Sequence, residues 1–258
     1  MEKTLRDAAR EYLVRYGGDT FPNLFTSAKG TIVRDDTGRE ILDFTSGQMC
    51  ATVGHNHPAI VAAVHRAGET AFHFFSGMIP ETVAQLAATV ARDWMPAGLT
   101  KSIFVNTGSE SNEIALRMAK MHRNGFEILA VGGSWHGVTS GAGSVSYASD
   151  RKGYGVPPAG VFVMPEPNAY RPYIAGMDPE QSALACLEIG LKMFDMASAG
   201  RPAAIIVEPV ISAGGVLVPP KSYMQALRQA ADARGMLLIF DEAQTAFGRI
   251  GYRSGAEY

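Results

Sequence analysis

The chain has 258 residues, 47% of them hydrophobic and 19% charged, with a net charge of −2 at neutral pH. That length buries a sizeable core, and that balance describes an ordinary globular protein without the basic surface that nucleic acid or an anionic membrane demands. No uncharged apolar run is long enough to span a bilayer, the charged stretch MEKTLRDAAREYLVRYGG lacks the apolar centre of a signal peptide, and two cysteines, Cys50 and Cys186, make no disulfide framework. A cytoplasmic location is the resulting expectation.

In chain order, apolar residues at helical spacing (Leu5, Ala8, Ala9, Tyr12, Leu13) predict a helix over Glu2 to Tyr16. TIVRDDTGREILDF reads as two short strands about the turn Asp35-Asp36-Thr37-Gly38. Asn56 is a candidate N-cap, with Pro58 opening a helix over 58–72, and a further helix runs from Glu81 to Trp94. From Lys101 strands and helices alternate: strand KSIFV, helix 109–123, strand FEILAV, a Gly/Ser-rich loop, strand VFVM, helix 179–198, strand AAIIVEPV, helix 220–234 and strand MLLIFDE. Aliphatic runs charged only at their ends suit strands covered on both faces, so the expected fold is α/β with a mostly parallel sheet and helices on each side. Ligands of such sheets sit beyond the carboxyl ends of the strands.

Three loops there carry candidate chemistry. VNTGSESNE (105–113) offers small residues, the hydroxyls of Thr107, Ser109 and Ser111, and the free N–H groups of the helix that follows; it suits a phosphate, although such a turn taken alone is a plain helix cap more often than a phosphate site. GGSWHGVTSGAG (132–143) places Trp135 and His136 after a strand, where the indole either lies against a planar ligand or anchors the loop to the core. IFDEAQTAFGR (239–249) ends a strand on Asp241 and Glu242. A buried carboxylate needs a partner, which a protonated ring nitrogen, a following helix cap or Arg249 would each supply. VEPVISAGG repeats the pattern with Glu208.

In this order, TGSESNE, GSWHG, EPVISAGG and DEAQTAFGR resemble the class III subgroup of the fold type I aminotransferases, which depend on pyridoxal 5′-phosphate (PLP). The resemblance covers nearly the whole chain, from DFTSGQMCATVGHNHP at 43–58 onward. DFTSGQM, HFFSGM, Trp135, RKGYG, YRP and DEAQ lean toward the decarboxylating members, the 2,2-dialkylglycine decarboxylases. It implies an N-terminal segment over 1–50 and a PLP-binding large domain over 51–258, without the family's small C-terminal domain. Thr107, Gly108 and Ser109 would then hold the phosphate, with Trp135 on the pyridine ring and His136 beside it. Asp241 would pair with the ring nitrogen, and Gln244 would reach the phenolic oxygen. Glu208 would order the site nearby, while Gln48 and Ser76 would face the substrate. No metal is called for.

The implied activity is decarboxylation and transamination of 2,2-dialkylglycines with a 2-keto acid such as pyruvate. The alternatives are a plain class III aminotransferase or a non-catalytic fragment that binds without turnover. Amino acid and keto acid substrates and a homodimer or homotetramer follow from the same likeness. Two departures stand out. The lysine that anchors PLP in this family is expected beyond Tyr258, and none of Lys3, Lys29, Lys101, Lys120, Lys152, Lys192 and Lys221 matches its position. Ala213 stands where the decarboxylase pattern has a serine.

Overall fold

The structure is a computed structural model and describes residues 4–14, 20–70, 73–148 and 151–258. These fall into two compact units, Met1–Pro80 and Glu81–Tyr258.

The first unit opens with α1 (Leu5–Tyr12). Thr4 caps it in a reciprocal box, its hydroxyl accepting from the Asp7 amide while Asp7 accepts from the Thr4 amide. Glu2, Lys3, Arg15 and Tyr16, the expected ends of this helix, lie outside the described residues. An antiparallel sheet follows, β1 (Phe25–Lys29), β2 (Ile32–Asp35) and β3 (Glu40–Leu42), in that order. The β2–β3 hairpin is the one predicted. Its turn is built on Asp35, whose carboxylate accepts from the Thr37 amide at 2.9 Å and hydroxyl at 2.6 Å, the Arg39 amide at 3.0 Å and Asn23 Nδ2 at 2.6 Å. β1 was not predicted, because FTSAK has too few apolar residues to alternate.

A single turn, α2 (Ser46–Met49), has positive φ at all four residues. α3 (Pro58–Thr70) begins where expected, but Asn56 is not its cap. Asn56 has φ 51° and donates to the Ala28 carbonyl, whereas the His57 ring accepts from the Ala59 amide and the His57 carbonyl from the Val61 amide. Residues 71 and 72, the expected end of α3, lie outside the described residues.

The second unit starts with α4 (Glu81–Thr89), continued by a π-helical turn to Trp94. α5 (Gly108–Arg123) and α6 (Ser140–Ser144) flank β4 (Glu127–Val131) in the chain; β5 (Val161–Met164), α7 (Pro179–Ala197), β6 (Pro202–Val207), α8 (Lys221–Ala233) and β7 (Leu237–Phe240) complete it. The four strands are parallel in the order β5-β4-β6-β7. Side chains of a strand alternate between faces. Leu129, Val131, Ile205 and Val207 therefore point to the layer of α7 and α8, while Ile128, Ala130, Ala204 and Ile206 meet Leu116 and Ala119 of α5. On the first face Gly190 of α7 lies so close to Met164 that a methyl group there would strike it.

One predicted strand is absent. KSIFV (101–105) is exposed and pairs with no strand among the described residues. A β-branched and aromatic run forms a strand only against a neighbouring ladder, and β7 is an edge strand of the described sheet. Ile103, Phe104 and Val105 line one side of a cavity that Leu238 and Phe240 of β7 also line. Both cysteines are free thiols, Cys50 exposed and Cys186 buried. Among the described residues no helix is long and apolar enough to cross a membrane.

Candidate cofactor site

The carboxyl ends of β4, β6 and β7 converge on one cluster. β5 and β6 lie on opposite sides of β4, so the loop leaving β4 starts where the winding of the sheet reverses, the usual place for a ligand crevice. That loop carries Trp135 and His136; Glu208 follows β6, and Asp241 follows β7.

Asp241 is held from three directions. His136 Nδ1 lies 2.8 Å from its Oδ2, Asn112 Nδ2 donates to the same oxygen at 2.8 Å, and the Ala243 amide donates to Oδ1 at 3.1 Å. Burial acts to raise its pKa, but the His136 hydrogen bond and charge, with the Asn112 donor, outweigh it and keep the carboxyl below its ordinary value. An ionised Asp241 only accepts, so Nδ1 of His136 is the protonated nitrogen. His136 Nε2 is buried without a hydrogen-bond partner among the described residues. No ion pair joins Asp241 or Glu242 to Arg249 among the described residues. Glu242 instead accepts from Thr245 Oγ1 at 2.5 Å and from the amides of Gly255 and Ala256 at 2.7 and 3.0 Å, closing the loop after β7.

Glu208 is the counter-example at an equivalent strand end. It accepts from the Trp135 amide at 2.7 Å and the Ser212 amide at 3.1 Å, yet burial dominates and its pKa is raised. The indole of Trp135 is 36% exposed and meets Tyr154 edge to face at 6.2 Å. It is therefore not a side chain sealed in the core.

The anion-binding candidate is the start of α5. Thr107 caps the helix, its hydroxyl oxygen accepting from the Glu110 amide at 3.1 Å while Glu110 accepts from the amides of Asn106 and Thr107. The cap and the anion reading are compatible, since the Thr107 proton stays free to donate. The amides of Gly108 and Ser109, in the first turn, have no acceptor among the described residues. Nothing lies within 4 Å of a Cβ built on Gly108. Thr107, Gly108, Asn112 and Asp241 all line the cavity of about 630 Å³ that also meets β7.

The sequence reading missed a stripe on α5. Ser109, Asn112 and Glu113, at helical spacing i, i+3, i+4, all bind the loop after β4. Ser109 Oγ accepts from the Val138 amide at 3.1 Å, Asn112 donates to the His136 carbonyl at 2.8 Å, and Glu113 accepts from Thr139 Oγ1 at 2.6 Å and the Gly141 and Ala142 amides. Burial pulls the Glu113 pKa upward, but these donors prevail and it lies below normal. Three polar residues on one helical face were the available signal. Gly137 makes the approach possible: its φ is +130°, and a methyl group there would collide with Ser109.

Of the other candidates, Gln244 is half-buried beyond Asp241, and among the described residues no hydrogen bond holds its side chain. Gln48 and Ser76 belong to the first unit, Gln48 in the left-handed turn of α2 with φ 55° and Ser76 exposed. Thr107, Gly108, Ser109, Trp135, His136, Glu208, Asp241 and Gln244 belong to the second.

A parallel α/β unit with an unpaired helix start and a carboxylate at its strand ends suits a ligand that carries a phosphate. The chain belongs to the class III aminotransferase family, whose model matches residues 14–257. PLP is the cofactor of that family. An uncharacterized aminotransferase of Schizosaccharomyces pombe is 43% identical over 252 residues, covering 96% of this chain and 55% of its own length. An omega-aminotransferase of Caulobacter vibrioides is 34% identical, covering 92% of this chain and 55% of its own. An acetylornithine aminotransferase of Methanosarcina acetivorans is 32% identical, covering 89% and 52%. The chain thus spans about half the length of the curated relatives it matches. The crystal structure of an (S)-enantioselective omega-transaminase from Thermomicrobium roseum superposes with a TM-score of 0.90 at 27% identity, over 98% of this chain and 59% of that one.

Proposed function

We propose that this chain is the cofactor-holding part of a PLP-dependent aminotransferase that moves an amino group from an amino acid to a 2-keto acid. The observation that carries the reading is Asp241, a half-buried carboxylate kept ionised at the end of β7 and lining the same cavity as the start of α5. PLP, when bound, supplies a ring that takes up the electron pair left as a bond to the substrate's α-carbon breaks.

In this reading the amides of Gly108 and Ser109 and the Thr107 hydroxyl hold the phosphate. Asp241 retains a proton on the ring nitrogen, and the His136 and Asn112 donors keep Asp241 charged for that task. Trp135 lies against the ring and Gln244 serves the phenolic oxygen. Glu208, by taking the Trp135 and Ser212 amides, keeps the indole loop in place. Gln48 and Ser76 serve the substrate. The residues present fit the group: the cradle has open donors and open space at Gly108, and the carboxylate has an oxygen with a single donor.

The narrower reading, loss of CO₂ from 2,2-dialkylglycines, rests on the likeness of DFTSGQM, HFFSGM, Trp135 and RKGYG alone. The acetylornithine and omega-aminotransferase relatives favour the plain aminotransferase, in which a proton leaves. The test is the full-length protein loaded with PLP and given either an ω-amino acid with a 2-keto acid or 2-aminoisobutyrate with pyruvate. Amino transfer from the first donor without CO₂ from the second is expected. Release of CO₂ and acetone from 2-aminoisobutyrate would move the assignment to the decarboxylases, and no transfer from any amino donor would overturn it.

A further inference from the structure

Asn112 lies in the second turn of α5 and is 7% exposed. Its amide nitrogen donates to the His136 carbonyl and to Asp241 Oδ2, each at 2.8 Å, so both of its hydrogens are used. The same Oδ2 takes a third party, His136 Nδ1, at 2.8 Å. Two donors therefore fill the lone pairs of Oδ2. Among the described residues Oδ1 has only the Ala243 amide, at 3.1 Å, and keeps a place for one more donor.

The carboxylate cannot make this choice unaided, because its terminal torsion is broad and two-fold. Its neighbours must make it. His136 alone would hold Oδ2 at one point. Asn112 adds a second point, and its own orientation is set by the His136 carbonyl at the other hydrogen. Ser109 and Glu113 on the same face of α5 tie the helix to the loop that carries His136, so the donors move as one body with it.

We infer that Asn112 is a positioning residue that turns Asp241 so that Oδ1 meets the ring nitrogen of PLP and Oδ2 is withheld from it. The inference rests on Asp241 being the partner of that nitrogen. A loop merely stabilised by Asn112 would lose stability on substitution without any change at the ring.

The test uses the full-length protein, freed of PLP and titrated with it. Asn112→Leu keeps the volume and removes the donor. PLP affinity should fall about tenfold, the size of one lost hydrogen bond to a charged group. The resonance of PLP labelled with ¹⁵N at the ring nitrogen should shift or broaden as two carboxylate orientations share the site. Asn112→Ser, small enough to admit a water, should fold normally and show the same change in lesser degree. Wild-type affinity and an unaltered resonance in Asn112→Ser overturn the inference, whatever happens to the melting temperature. Asp241→Asn separates that result from failure of the site reading. If it too leaves affinity and resonance unchanged, Asp241 is not the ring's partner and both ideas fall.

Discussion

Between β4 and α8 a core forms from Ile128, Leu129, Ile205, Ile206 and their apolar neighbours, whereas Asp35 is the one buried residue among those described in Met1–Pro80. The first unit does not lack apolar residues: Phe44 is 94% exposed, Ile79 81% and Phe75 71%. Among its described residues no buried apolar layer covers the sheet. Three short antiparallel strands are ordered instead by carboxylates that gather donors. Asp35 does this in the hairpin, and Asp43 does it before α2, taking the Thr45 amide and hydroxyl, the Gly47 amide and His55 Nε2. The comparison teaches that apolar composition becomes a core only where strands are covered on both faces. Polar cradles fix a loop's shape without burying much around it.

Cutting a side chain on each side of the divide breaks or sharpens this contrast. Ile205→Ala removes a fully buried side chain of β6 and should cost about 2–5 kcal/mol, read as a lower denaturation midpoint at unchanged slope. Phe44→Ala should stay within about 0.5 kcal/mol, as surface changes do. A comparable loss from Phe44→Ala would show that the first unit has a core after all.

An intermediate effect is expected at Gly137. Its methylated form must push Ser109 away at a backbone angle that suits glycine, so Gly137→Ala should destabilise by about 1–3 kcal/mol. The same change should weaken PLP binding in the full-length protein, because Ser109 belongs to the proposed phosphate cradle. Wild-type PLP affinity in Gly137→Ala would detach that contact from the site.

The smallest and most local effect concerns pH. The Thr37 hydroxyl, ahead of the Arg39 amide and Asn23, holds the Asp35 carboxyl down at about 2 against the upward pull of burial. A depressed acid stabilises the fold above its unfolded pKa, and that contribution fades as pH falls through the folded one. Protection of the Thr37 and Arg39 amides from hydrogen exchange should therefore hold at pH 5 and decline between roughly pH 4 and 2. Asp35→Asn should lack that decline. An unchanged acid profile in Asp35→Asn would place the control of the hairpin elsewhere.

Much of this was legible in the residues. The runs EILAV, AAIIV and LLIF are short, aliphatic and separated by amphipathic helices, and parallel strands buried on both faces read that way wherever they occur. The Thr107–Glu110 box and the Asp35 turn are equally local, since each is closed by groups a few residues apart. Strand-end carboxylates marked where to look for the site. The family's motifs then suggested roles for Trp135, His136 and Asp241, which the geometry places in one hydrogen-bonded neighbourhood.

Other features needed the whole chain. KSIFV has the residues of a strand but no ladder beside it, because pairing depends on a neighbour that no local pattern encodes. Asn56 looks like a cap yet serves the Ala28 carbonyl, leaving the start of α3 to His57. Asn112 and Asp241 are 129 positions apart and meet only because α5 begins at the edge of the sheet where β7 ends. Asp241 and Glu208 look alike in sequence, each an acid closing an aliphatic strand. Tertiary structure gives one His136 and Asn112 as donors, which outweigh its burial and lower its pKa, and leaves the other with the Trp135 and Ser212 amides, which do not outweigh its burial, so that its pKa is raised. Charge state follows from which distant donors arrive, and only the folded arrangement supplies them.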